Sequence, residues 1–64
     1  MFKENELYGL LAKNGLTKRD FAKLLGINAT TLYKKIKRDG DFTRKEIQIM
    51  INHFGKSEVV RVFF

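Results

Sequence analysis

The chain has 64 residues, enough for one small domain with a marginal core, and its lack of Cys and single His exclude disulfide staples, thiolate metal sites and histidine ligand clusters. Thirteen Lys and Arg against seven Asp and Glu leave a net charge of +6, which favours an anionic partner. No stretch reads as a signal peptide, a membrane span, a flexible linker or a repeat, so residues 1–64 are expected to form a single cytoplasmic domain with no membrane association.

The chain reads as helical throughout. Leu7, Leu10 and Leu11 recur at helical spacing in a first helix from about Glu4 to Asn14, with Glu4 and Glu6 favoured in its first turn by the helix dipole. Gly15 ends it. Thr17 and Asp20 have the spacing of a capping box for a second helix, which buries Phe21, Leu24 and Leu25. Ala22 is small where two helices must approach, and Gly26 can turn the chain through a left-handed conformation. Ile27 then serves as an apolar anchor, Asn28 caps a third helix, and Leu32 and Ile36 give that helix its buried stripe. Arg38 to Phe42 is a polar turn, with Phe42 placed as a hydrophobic staple before a second capping box of Thr43 and Glu46. Ile47, Met50, Ile51 and Phe54 continue a fourth helix as far as Gly55. Residues 57–64 fit either a short fifth helix capped by Ser57, burying Val59, Val62 and Phe63, or a strand built on Val60, Val62 and Phe64; the helix is favoured.

Thr17 to Lys37, two short helices hinged at Gly26, resembles the helix-turn-helix of the phage Cro and lambda-type repressor (XRE-like) family. The resemblance rests on Ala22, Gly26, Ile27 and Leu32. Two positions depart from that pattern: Lys18 stands where Gln is common, and Lys35 stands where the last buried aliphatic usually lies. Leu32 and Ile36, an i, i+4 pair, still give the helix one apolar face. The implied fold is all-α, a bundle of four to five helices of lambda-repressor type.

The charge distribution supports that reading. Residues 17–45 hold nine cations and three carboxylates, so the whole net charge of +6 lies there, while Lys3, Lys13, Lys56 and Arg61 balance Glu4, Glu6, Glu46 and Glu58 elsewhere. Such a focus suits phosphate recognition better than it suits solubility, although a solvated basic face is the plain alternative. A helix lying in the major groove presents its N-terminal turn to base edges. With Leu32 and Ile36 inward, Ala29, Thr30, Tyr33 and Lys34 face outward as base contacts. The resemblance adds Asn28 to these, although its role as cap comes first, because the helix needs an acceptor there whatever the protein binds. Lys18, Lys37, Arg38 and Arg44 suit phosphate contacts. Lys35 and Lys45 taken singly read as solvated, and His53 as a surface group near a helix end.

The expected function is a sequence-specific double-stranded DNA-binding transcriptional regulator, a Cro-like repressor of phage or prophage type, with no cofactor and no small-molecule ligand. The alternative is a protein-interaction module or an antitoxin on the same scaffold. No Ser/His/Asp, Cys/His or paired-carboxylate arrangement is apparent, so an enzyme is not expected. One short helix reads few base pairs, which favours a homodimer, assembled mainly on DNA, with Val59, Val62, Phe63 and Phe64 at the contact. For the two terminal Phe, packing onto the protomer's own core is an equal alternative.

Overall fold

The computed structural model describes residues 1–64 and contains five helices and no strand: α1 (Glu4–Lys13), α2 (Lys18–Leu25), α3 (Ala29–Lys37), α4 (Arg44–Phe54) and α5 (Lys56–Phe63). The helix boundaries follow from local chemistry. Thr17 accepts the Asp20 N–H while Asp20 accepts the Thr17 N–H, so two otherwise orphaned donors at the start of α2 are satisfied. Thr43 and Glu46 do the same for α4, and Asn28 Oδ1 accepts the Thr31 N–H at 2.7 Å to start α3. Between α2 and α3, Gly26 sits at φ +74°, and the Gly26 and Ile27 N–H groups donate to Lys23 and Ala22. This pairing is a Schellman turn, which needs a left-handed residue where Gly26 stands.

Residues 56–63 are helical, which settles the ambiguous segment, but Ser57 is not its cap. Gly55 serves as the joint between α4 and α5, and the helix begins at Lys56 without a side-chain cap. Asn14, expected inside α1, is its C-cap residue.

Twelve apolar residues form one core drawn from every helix, including Leu7, Leu11, Phe21, Leu32, Met50 and Val62. α5 packs against both α4 and α1, while α2 packs against α3 and α4. Phe42 is the hub of an aromatic group. Its ring lies 6.0 Å from Phe2, 6.4 Å from Phe21 and 6.0 Å from Phe63. Phe2, from the segment preceding α1, also occupies the space above Gly40, where a Cβ would overlap its ring. The Lys3 N–H donates to Val62 O at 2.6 Å, satisfying one of the carbonyls left open at the end of α5.

Candidate nucleic-acid interface

Leu32 and Ile36 are 2% and 3% exposed, which fixes the rotation of α3 about its axis. With that face inward, Ala29, Thr30, Tyr33, Lys34 and Lys37 are all exposed, and Thr30, Lys34 and Lys37 point away from the core by helical geometry. Tyr33 is 60% exposed, a large aromatic left in solvent amid cations. Asn28 is exposed and its side-chain oxygen is occupied by the cap; its amide nitrogen makes no bond within the protein.

The expected phosphate contacts lie on three elements. Lys18 opens α2, Lys37 and Arg38 end α3, and Arg44 opens α4; each is exposed. Of the nine cations in residues 17–45, only Lys35 and Lys37 form ion pairs, which leaves Lys18, Arg19, Lys23, Lys34, Arg38, Arg44 and Lys45 without a carboxylate partner. Both α2 and α4 begin with two adjacent cations, Lys18-Arg19 and Arg44-Lys45. A cation at a helix N-terminus opposes the macrodipole, at a cost of roughly 0.3–1 kcal/mol each. Asp20 and Glu46 in the same first turns offset part of this cost, and an external anion met there would offset more.

Lys35 is not solvated. Its ammonium lies 3.1 Å from Glu46 Oε1, with the two side chains only 19% and 10% exposed, so it joins α3 to α4. Burial pushes the Glu46 carboxyl up, but the Thr43 N–H and the Lys35 ammonium outweigh it and hold it below its ordinary value. No buried side-chain nitrogen or oxygen in the protein lacks a partner.

A second group of charges was not foreseen from the sequence. Glu4 Oε2 accepts from the Tyr8 hydroxyl at 2.8 Å and from the Lys37 ammonium at 3.1 Å, while the Lys18 ammonium rests 4.3 Å from the centre of the Tyr8 ring. The bond from Tyr8, followed by that from Lys37, lowers the Glu4 carboxyl. Burial and the same bond to Glu4 push the Tyr8 phenol up to about 12. Lys37 of the outer α3 face is thus tied to α1, and its ammonium lies 5.5 Å from the centre of the Tyr33 ring.

The motif extends from the last turns of α1 through α2, the Gly26 turn and α3. Residues 10–38 match the model of the helix-turn-helix family described as bacterial regulatory protein, Fis family. The match spans less than half of the chain and identifies the α2–turn–α3 unit as a helix-turn-helix, without singling out the Cro and lambda-type branch. No curated protein and no solved structure matched the chain. No helix is long and apolar enough to cross a membrane.

The expected contact between copies needs correction. Val59 and Val62 are 4% and 2% exposed and belong to the protomer's own core, because α5 turns them toward α1 and α4. Phe63 is partly buried beside Phe2, at 5.4 Å between ring centres. The exposed apolar groups of the segment are Val60 and Phe64. They border an open groove of about 320 Å³ lined by Ile47, Ile51, Lys56, Val59, Val60, Phe63 and Phe64.

Proposed function

We propose that this protein is a sequence-specific double-stranded DNA-binding transcriptional regulator that reads the major groove with α3. The observation that carries this reading is the exposed outer face of α3, which displays Thr30, Tyr33 and Lys34, with Lys34 and the adjacent Arg38 free of any carboxylate partner. The chemistry of that face suits base edges: Ala29 offers a methyl to thymine, Thr30 a hydroxyl and a methyl, and Lys34 an ammonium to the O6 and N7 acceptors of guanine. Arg38 and Arg44, with Lys18, would hold the duplex by its phosphates and set the register of α3 without reading sequence. The Fis-family match supports a helix-turn-helix of the kind bacterial regulators carry. The finer placement, a Cro-like repressor of phage type, rests on Ala22, Gly26, Ile27 and Leu32 and on the five-helix layout.

The protein acts in pairs in this proposal. A two-fold contact requires a patch complementary to itself, and the α4–α5 groove has Phe64 protruding at its own edge, 81% exposed. Each copy's Phe64 would enter the other's groove. The domain measures 26 × 24 × 21 Å, so two abutting copies could set their α3 helices about one DNA turn, roughly 34 Å, apart. Fluorescence-anisotropy titration of duplex DNA at two salt concentrations tests the reading. The expected result is an affinity that falls steeply with salt; salt-insensitive or absent binding would favour a protein-interaction module instead.

A further inference from the structure

Three helices meet around Glu4 and Tyr8 at the edge of the proposed DNA face. Glu4 comes from the first turn of α1, Lys37 from the last residue of α3, and Lys18 from the first residue of α2. Glu4 Oε2 receives both the Tyr8 hydroxyl and the Lys37 ammonium, and Lys18 lies against the same phenol ring. An ammonium and a phenolic O–H on one anionic oxygen, with a second ammonium against the phenol ring, are also surroundings that a DNA phosphate oxygen would find favourable. We propose that Glu4 is a built-in competitor for the DNA backbone: Lys37 exchanges between the Glu4 carboxylate and a phosphate, and Glu4 thereby weakens binding to all sequences alike. This inference rests on the DNA-binding reading above.

The geometry permits such an exchange. The Lys37 and Glu4 side chains are 49% and 35% exposed, so their pair is a solvent-screened one that a phosphate can displace. Glu4 stays in place when Lys37 leaves, because the Tyr8 hydroxyl still holds the same oxygen. Glu6, two residues on, borders a different surface, together with Lys13, Glu58 and Arg61 on the α1–α5 side. It supplies a control of equal charge on the same helix.

The test compares the unmodified protein with Glu4→Gln, Glu4→Asp, Glu6→Gln, Lys37→Gln and the Glu4→Gln/Lys37→Gln double variant, by anisotropy on mixed-sequence duplex DNA at two salt concentrations. Thermal melts verify that each variant is folded. Glu4→Gln is expected to tighten binding by up to about fivefold, the range of a surface pair. Glu4→Asp keeps the charge but shortens the reach by one methylene, and should tighten binding in the same direction by less. Glu6→Gln should have a smaller effect than Glu4→Gln, and in the Lys37→Gln background the gain from Glu4→Gln should vanish. Equal gains from Glu4→Gln and Glu6→Gln, or a gain that persists without Lys37, would overturn the proposal in favour of a general field effect. Unchanged affinity of Glu4→Gln would overturn it while leaving the DNA-binding reading intact. Failure of every protein to bind DNA at either salt would remove both.

Discussion

Lys35 Nζ sits 3.1 Å from Glu46 Oε1, and this pair joins the proposed recognition helix to the helix that follows it. The same Glu46 oxygen accepts the Thr43 N–H at 2.8 Å, so one carboxylate both caps α4 and anchors α3. Lys35→Ala should therefore destabilise the domain by about 1–3 kcal/mol, by leaving a nearly buried carboxylate with one partner fewer. Chemical denaturation of the variant measures this, and the loss of a merely solvated lysine would stay within about 0.5 kcal/mol.

The same pair sets a pH dependence. Glu46 has its folded pKa held below its unfolded value, so its contribution is fully present above the ordinary glutamate range, near pH 4.5, and is lost as the pH falls through the folded value. Denaturation midpoints measured across the acid range should fall less steeply for Glu46→Gln than for the unmodified protein. Parallel curves would show that Glu46 is not held low.

Leu32 and Thr30, two residues apart, should respond in opposite ways. Leu32 is 2% exposed, and Leu32→Ala should cost about 2–5 kcal/mol, enough to unfold much of so small a domain. Thr30 is exposed, so Thr30→Ala should leave the melting temperature nearly unchanged while altering which base is preferred at one position, by about 1–3 kcal/mol if a good contact is lost. Melting curves and binding to a panel of single-base operator variants separate the two effects.

The start of the chain makes a more local prediction. Gly40 has φ +72°, and the Phe2 ring fills the space a Cβ would need, so Gly40→Ala combines backbone strain with displacement of Phe2 from the aromatic group around Phe42. A loss of about 1–3 kcal/mol is expected, against almost none for a replacement at an unstrained exposed loop position. In the Phe2→Ala background the clash with the ring should disappear, while the close approach to the residue-2 Cβ and the backbone strain remain.

Phe64 tests the pairing of copies. It is exposed and lies outside the core, unlike Phe63, so Phe64→Ser should leave monomer stability intact. On a symmetric operator the variant should lose cooperativity, with half-site affinity unchanged. Equal loss on both sites would mean that the groove is not where the copies meet.

The features legible in the sequence are those decided within one turn of helix. Both capping boxes, the Asn28 cap, the Gly26 turn and the inward stripe of Leu32 and Ile36 depend on neighbours three to five residues away, and the structure bears them out. What stayed hidden depends on partners distant in sequence. Nothing in residues 35–46 alone reveals that Lys35 meets Glu46 and not water, and the Lys37–Glu4 pair spans 33 positions. The inward face of α5 stays hidden for the same reason. Val59 and Val62 look like spare apolar surface until α1 and α4 are seen on either side of them.

The position of α5 between α1 and α4 has a consequence for how the chain acquires its shape during synthesis. Leu7, Leu10 and Leu11 emerge early, but part of their cover is Val59 and Val62, and Lys3 finds its backbone acceptor only at Val62. Until α5 has been made, α1 is a ten-residue helix without its main partner, too short to persist alone in water. The core shared by all five helices is thus complete only once α5 has been made. A nascent chain should remain sensitive to protease around α1 until α5 docks against it.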